Sequence, residues 1–267
     1  MPVKFKILFL FFALSLAPWS FVAQVQAADR ENTTAIDCPI LLYHRFGPTV
    51  ADSMTTTTKV LLSHLEYLET HGYTIIPLRR LVDAYLLKGP PLPPKPVVLT
   101  IDDGHISVYT EVLPIVKKHH IPITLFIYPS AIGNASYAMT WAQLEELQKS
   151  GLFDIQSHTY WHPNFKQERK RLPPAEFEKF VDVQLAKTKE VLEKKLGVTV
   201  DMVAWPFGIY DDYLIARAVK AGYIAGFTIE AHHATNFDGI MKLPRYLLTD
   251  ANRGKGFEWI FSNRKGQ

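Results

Sequence analysis

Short apolar segments alternate with helical patterns along most of this chain, and this alternation limits its possible folds more than any other feature. Consecutive apolar residues, such as Val97, Val98 and Leu99, indicate strands that are buried on both faces. Strands that alternate with helices favour parallel pairing through helical crossovers. Seven or eight such units predict a distorted (β/α) barrel of about seven parallel strands in a single domain.

The predicted elements come from runs rich in Val, Ile and Phe and from the amphipathic stretches between them. Strands are predicted at residues 39–44, 73–78, 97–101, 123–128, 153–157, 202–207, 224–229 and 241–248. Helices are predicted near residues 58–71, 79–88, 105–119, 140–150, 173–196, 211–221 and 254–262.

The first 27 residues have the pattern of a secretory signal peptide. Lys4 and Lys6 precede an apolar run over residues 7–17, and small residues at Val25 and Ala27 suit signal peptidase. A proline and a serine interrupt the apolar run, which argues against stable membrane insertion. The sequence therefore predicts a signal peptide over residues 1–27, a folded domain over 28–267, and export to the periplasm or the outside of the cell. A retained anchor is the alternative.

Net charge and cysteine content give no reason to expect a nucleic-acid partner or an internal disulfide. The 267 residues carry a net charge of +3, and loss of Lys4 and Lys6 with the signal peptide would leave +1. So small a charge provides little attraction for nucleic acid. Cys38 is the only cysteine and is interpreted as a packing residue. The oligomeric state is not predicted.

Two adjacent carboxylates, Asp102 and Asp103, follow a predicted buried strand and precede Gly104. In a (β/α) barrel the carboxyl ends of the strands form the active face. Neighbouring carboxylates repel each other unless a cation or a proton lies between them. Asp103 as a metal ligand and Asp102 as a general base would satisfy this requirement. An ordinary Asp-Gly turn is the alternative.

Two histidines four residues apart, His158 and His162, follow another predicted strand. Imidazoles at this spacing can meet on one face of a helical turn. The spacing alone is a weak indication in a chain with ten histidines. Its position at a strand end, like that of the two aspartates, predicts a catalytic site for a divalent metal, held by one carboxylate and two imidazoles: Asp103, His158 and His162.

Two further segments, residues 204–208 and residues 42–45, end predicted strands. In one of them, the Trp205 ring could line a sugar groove and the backbone N–H of Phe207 could face a developing oxyanion. A proline turn beside core aromatic residues is the alternative interpretation. The other segment ends the first long strand, and the barrel geometry places its His44 at the same face.

At these motifs the sequence resembles the polysaccharide deacetylases of carbohydrate esterase family 4, the NodB-like group. The Asp102-Asp103-Gly104 segment is similar to the family's first motif, His158 to His162 to its second, and Trp205-Pro206-Phe207-Gly208 to its third. The resemblance extends over roughly residues 38–250 in matching order. It implies a distorted β/α barrel, a bound divalent metal that is usually zinc, and a polysaccharide substrate.

The sequence departs from the family pattern at two places. Ala204 stands where many members have an arginine that orients the aspartate base, and Leu243-Pro244-Arg245 stands near the place of a missing Leu-x-His proton-donor motif. In these departures the sequence resembles the branch of the family that deacetylates poly-N-acetylglucosamine. That branch carries a histidine on an early strand, which His44 matches. Because the first and last strands of a barrel are neighbours, we predict that Arg245 replaces the missing arginine and that His44 is the general acid.

The predicted reaction is metal-assisted hydrolysis of N-acetyl groups on an N-acetylglucosamine polymer, with Asp102 as the base and acetate as a product. Peptidoglycan, chitin oligomers and O-acetyl esters are alternative substrates that the motifs do not separate. A glycosidase would need two carboxyls about 5–9 Å apart across a cleft, whereas adjacent aspartates point apart. A non-catalytic carbohydrate-binding module is a further alternative, against which the intact set of aspartates and histidines argues.

Overall fold

The structure, a computed structural model, describes residues 35–262. The predicted signal peptide at residues 1–27 lies outside the described residues. Within residues 35–262, no helix combines the length and the apolar character that a membrane crossing requires.

The described part of the chain contains short strands, α-helices and four other helical turns. The strands are β1 (Asp37–Cys38), β2 (Ile40–Tyr43), β3 (Arg45–Gly47), β4 (Thr55–Thr57), β5 (Thr74–Ile75), β6 (Pro96–Asp103), β7 (Ile123–Ile127), β8 (Phe153–Ser157), β9 (Met202–Ala204), β10 (Ala225–Phe227), β11 (Ala234–Thr235) and β12 (Tyr246–Leu247). The α-helices are α1 (Thr58–Thr70), α2 (Leu78–Tyr85), α3 (Leu113–His119), α4 (Trp141–Lys149), α5 (Phe165–Arg171), α6 (Pro174–Asp182), α7 (Thr188–Leu196), α8 (Asp212–Lys220) and α9 (Lys255–Ser262). The remaining turns are π-helical at Val108–Val112 and Val183–Lys187 and 3₁₀-helical at Pro206–Gly208 and Ile240–Lys242.

The central sheet is parallel and follows the order β10-β9-β8-β7-β6-β2-β12, with β5 beside the start of β6. It curls into a half-barrel, and a parallel bridge between Phe227 and Leu243 connects β10 to the segment before β12. The close approach at this bridge requires Gly226, because a Cβ there would lie 2.3 Å from the Met241 carbonyl oxygen. The predicted distorted (β/α) barrel of about seven parallel strands is confirmed.

The strands are buried on both faces, as their consecutive apolar residues predict. Alternate side chains of a strand point to opposite faces. On β6, Val98 belongs to one apolar cluster, with Phe126, while Leu99 and Ile101 belong to the other. The period of two therefore places Asp102, at the end of β6, on the same face as Val98 and Phe126.

Two predicted helices differ from the observed ones. The predicted helix over residues 173–196 is divided into α6, a π-helical segment and α7, and the π segment carries the fully buried polar side chain of Gln184. The helix predicted near residues 105–119 begins only at Val108, as a π-helical turn that continues into α3. The sequence does not predict α5, because only Phe165 of its seven residues is buried and no apolar period is visible.

Candidate active site

The predicted site residues follow the carboxyl ends of neighbouring strands, where the active face of a (β/α) barrel lies. Asp102 and Asp103 end β6, and His158 directly follows β8. His44 directly follows β2, which pairs with β6. The fold therefore brings together residues that are far apart in the sequence.

Three of these side chains form a cluster with the composition of a metal site. The ligand atoms of Asp103, His158 and His162 lie within 4.8 Å of one another. Asp103 Oδ1 is 3.7 Å from His158 Nε2 and 3.8 Å from His162 Nε2. This buried carboxylate oxygen has no hydrogen-bond partner among the described residues, as expected for an atom that binds a cation. The donor set fits a divalent ion such as zinc.

His158 is held so that its Nε2 atom faces the two aspartates. Its Nδ1 donates a hydrogen bond of 2.8 Å to the carbonyl oxygen of Ala204, the last residue of β9. This bond selects the tautomer that leaves a lone pair on Nε2. Burial lowers the pKa of His158 to about 3, so the ring is neutral at physiological pH and can act as a ligand.

The loop between the two histidines is fixed by a residue that sequence analysis missed. The side-chain oxygen of Gln184 accepts hydrogen bonds from the backbone N–H groups of Tyr160, at 3.1 Å, and Trp161, at 2.8 Å. Because Gln184 is completely buried, these bonds fix the course of the loop that ends at His162. No local sequence pattern indicates this role, because the burial of Gln184 follows from the π-helical segment that carries it.

The backbone of the site adopts conformations that are unfavourable for ordinary L-residues. Seven residues between 35 and 262 that are not glycine have positive φ angles, and four of them lie at the site: Asp103 (77°), Thr159 (62°), His162 (57°) and Phe207 (55°). Each such residue typically costs about 1–3 kcal/mol, and the surrounding structure must compensate for it. Such strained positions tend to cluster at functional sites, and here they coincide with the two ligand motifs and the third motif.

Asp102 forms a buried, bidentate ion pair with Arg245. The two guanidinium nitrogens of Arg245 each donate a 2.8 Å hydrogen bond to one oxygen of Asp102. The guanidinium is further oriented by a bond to the carbonyl oxygen of Thr228, at 3.0 Å, and lies over the Phe126 ring, 5.2 Å from its centroid. Arg245 is fully buried, and it reaches Asp102 from the segment just before β12.

The two adjacent aspartates have pKa values that are shifted in opposite directions. Burial alone would raise the pKa of Asp102, but the Arg245 guanidinium outweighs it and holds this pKa below its usual range. Burial raises the pKa of Asp103, and the neighbouring Asp102 carboxylate adds to that increase. The Oδ2 atom of Asp102 also lies 3.6 Å from the Nε2 atom of His158. One carboxylate is thus ionised by an internal cation, while the other faces a position that suits a metal ion.

His44 lies close enough to the aspartates for their charges to act on it. Burial lowers the pKa of His44, and the carboxylates of Asp102 and Asp103 oppose this decrease only in part. Its Nδ1 atom is buried and has no hydrogen-bond partner among residues 35–262.

The third motif places its two aromatic residues in different environments. Trp205 is fully buried, and its indole N–H donates a 2.9 Å hydrogen bond to the Met241 carbonyl oxygen. It therefore packs in the core and has no exposed surface that could line a sugar groove, contrary to the prediction. Phe207 is 55% exposed, and its ring contacts the His162 ring edge-on with centroids 4.6 Å apart.

Comparisons with known proteins identify relatives of this chain. The sequence profile of the polysaccharide deacetylase family matches residues 89–226, more than half of the chain. The poly-β-1,6-N-acetyl-D-glucosamine N-deacetylase of Staphylococcus aureus is 26% identical over 192 residues, which cover 70% of this chain and 66% of that protein.

Two solved structures have similar folds. The deacetylase PplD of Streptococcus pyogenes, in complex with acetate, has a TM-score of 0.74 and 23% identity, and the match covers 85% of this chain and 99% of that one. IcaB from Ammonifex degensii has a TM-score of 0.72 and 27% identity, with 81% of this chain and 94% of that one covered. The family profile includes both predicted ligand motifs, and the chain therefore belongs to the polysaccharide deacetylase family and is a hydrolase of carbon–nitrogen bonds other than peptide bonds.

Proposed function

We propose that this protein removes N-acetyl groups from an N-acetylglucosamine polymer by metal-dependent hydrolysis and releases acetate. The observation that carries the proposal is the adjacency of an ionised Asp102, paired with Arg245, to the cluster of Asp103, His158 and His162. A base and a metal site side by side are the groups that amide hydrolysis requires. The relative named for poly-β-1,6-N-acetyl-D-glucosamine supports this polymer as the substrate class.

Asp103, His158 and His162 would hold the divalent ion. The chemistry that such an ion supplies is Lewis-acid polarisation of a carbonyl and a lowered pKa for water. Zinc is the proposed ion, because it favours imidazole together with a single carboxylate in catalytic sites. The neutral His158 ring and the unpartnered Asp103 oxygen support this ligand set.

Asp102 would act as the general base that takes a proton from the attacking water. A base must be ionised before it can accept a proton, and the Arg245 guanidinium lowers the pKa of Asp102 enough to keep it ionised at neutral pH. The same bidentate pair fixes the carboxylate orientation. Arg245 would thereby take the role of the arginine that is absent at Ala204.

His44 would act as the general acid that protonates the departing amine. An amine leaves poorly without a proton, and the free amino group of the product becomes cationic at neutral pH. The position of His44 directly after β2, close enough to Asp102 and Asp103 for their charges to act on the ring, supports the assignment. The backbone N–H of Phe207, beside His162, would face the negative charge that develops on the carbonyl oxygen.

Export to the periplasm or the cell exterior is part of the proposal. It is supported by the signal-peptide pattern of residues 1–27 and by the extracellular nature of polysaccharide substrates. The polymer would be the main partner, and nucleic acid is not expected to bind.

Acetate release from defined oligomers tests this function directly. The purified protein is incubated with β-1,6-linked N-acetylglucosamine oligomers, with and without a chelator, and with Asp102→Asn as the matched inactive control. We expect acetate only from the untreated or zinc-restored wild-type protein. Chitin oligomers, peptidoglycan fragments and O-acetylated sugars are run in parallel. Preferential release from one of these, or release that a chelator does not affect, would contradict the proposal.

A further inference from the structure

Three side chains extend the site away from His162 and form what we call the aromatic wall: Tyr128, Tyr137 and His105. The Tyr128 ring lies 5.4 Å from the His162 ring, measured between centroids. The hydroxyl oxygens of Tyr128 and Tyr137 are 2.6 Å apart, and the Tyr137 ring is nearly parallel to the His105 ring at 6.2 Å. The wall thus begins at a proposed metal ligand and continues outwards from it.

The aromatic wall is fixed to the turn that carries the two aspartates. The backbone N–H of Ile106 donates a 2.8 Å hydrogen bond to the Tyr137 carbonyl oxygen, and that of Met139 donates a 3.0 Å bond to the Gly104 carbonyl oxygen. His105 and Ala138 form an antiparallel bridge between these two bonds. Tyr137 therefore has a defined position relative to Asp103 before any substrate arrives, which lowers the entropic cost of binding.

The wall offers both an apolar surface and unused hydrogen-bonding groups. Tyr137 is 42% exposed, and His105 is half-buried. The two tyrosine hydroxyls share one hydrogen bond, so one of their two O–H groups is free to donate elsewhere. Nδ1 of His105 accepts the backbone N–H of Ser107 at 3.1 Å, which leaves the ring proton of the neutral imidazole on Nε2.

We propose that the aromatic wall binds the sugar unit next to the one that is deacetylated, an inference that rests on the proposed function. A pyranose ring presents an apolar face to an aromatic ring and hydroxyl groups to donors and acceptors, and the wall supplies both kinds of contact. Tyr137 and His105 are then specificity-determining residues for a polymer. Because contacts with a non-reacting unit can be used to accelerate the reaction, turnover depends on substrate length.

The test compares substrates of different length on three full-length variants. Tyr137→Ala removes the exposed ring, and Tyr137→Phe removes only its hydroxyl. Phe237→Ala is the matched control, because Phe237 is 99% exposed beside β11, which pairs with β1 at the opposite, amino end of the sheet. Deacetylation of the N-acetylglucosamine monosaccharide and of its β-1,6-linked pentasaccharide is measured for each protein, together with the metal content.

We expect Tyr137→Ala to lower kcat/KM for the pentasaccharide about tenfold more than for the monosaccharide, without loss of metal. Tyr137→Phe should retain part of the length preference, and Phe237→Ala all of it. Equal losses on both substrates, or no loss on either, would overturn the proposal.

Calorimetric binding of the pentasaccharide to the Asp102→Asn protein separates this inference from the proposed function. If the double variant Asp102→Asn/Tyr137→Ala binds the pentasaccharide more weakly than Asp102→Asn does, the aromatic wall is supported even when the wild type releases no acetate. Normal deacetylation together with unchanged pentasaccharide affinity would refute the wall and leave the function intact. A wild-type protein that neither binds nor deacetylates the oligomer would refute both.

Discussion

Replacing Arg245 by methionine would leave Asp102 as a buried carboxylate without its cation. Two 2.8 Å hydrogen bonds join the residues, and their side chains are 0% and 2% exposed, so water cannot replace the guanidinium. Removing one partner of a buried pair typically costs about 3–5 kcal/mol, because the desolvation of the other charge is no longer compensated. Methionine keeps much of the side-chain volume, so a cavity contributes little to this loss.

A double-mutant cycle isolates the part of this cost that comes from the stranded charge. In an Asp102→Asn background, Arg245→Met should cost about 0 kcal/mol or stabilise the protein, because it removes a buried guanidinium that has already lost its counter-charge. The expected coupling free energy is therefore at least about 3 kcal/mol. The free energy of unfolding is measured by urea titration of the four proteins at neutral pH with a chelator present.

The exposed pair of Arg169 and Asp211 provides a matched control for the cycle. Both side chains are more than 40% exposed, and Arg169→Met should cost less than about 1 kcal/mol. A coupling free energy below about 0.5 kcal/mol between Arg245 and Asp102, or a cost for Arg245→Met no larger than that of the control, would refute the reasoning.

Four further outcomes are expected. Asp102→Asn should keep its metal and lose about 10²–10⁴-fold in acetate release, and near-normal turnover would place the base elsewhere. His44→Ala should lower turnover strongly without loss of metal; activity within a few-fold of wild type would exclude it as the acid. Elemental analysis should find less metal in alanine variants of the three proposed ligands, and unchanged content would refute the ligand set: Asp103, His158 and His162. Burial lowers the pKa of His64 from 6.5 to about 4, so its unfolded form binds protons more strongly. His64 should therefore contribute a fall of about 1.4 kcal/mol per pH unit in the free energy of unfolding from pH 6.5 towards 4, in addition to the fall caused by other buried histidines such as His158. His64→Gln should remove this contribution in urea titrations, and an unchanged slope would exclude His64 as a contributor.

The sequence could predict the barrel and the face of the site because both depend on local patterns. Consecutive apolar residues mark strands buried on both faces, and parallel strands bring their carboxyl ends to one side. Asp103, His158 and His162 each lie at or shortly after a strand end, so their meeting follows from the topology. The topology does not predict that the pKa values of Asp102 and Asp103 shift in opposite directions, because these shifts depend on burial and on an arginine that is distant in the sequence.

Other parts of the site depend on partners that no local pattern reveals. Trp205 was predicted to line a groove, but its indole N–H finds an acceptor 36 residues away, at Met241, and this permits complete burial. Gln184 lies within the predicted helix over residues 173–196, and its burial depends on the π-helical segment that interrupts this helix. Tyr137 lies in an irregular loop, where neither periodicity nor composition indicates a role.

The four positive φ angles at Asp103, Thr159, His162 and Phe207 have a consequence for how this sequence can evolve. Glycine or asparagine would relieve the strain at any of these positions, and the folded state would gain stability. The same replacement would remove a proposed ligand at two positions and an aromatic contact at a third. Selection for thermal tolerance and selection for turnover would therefore act in opposite directions here, so gains in heat resistance should accumulate elsewhere in the barrel.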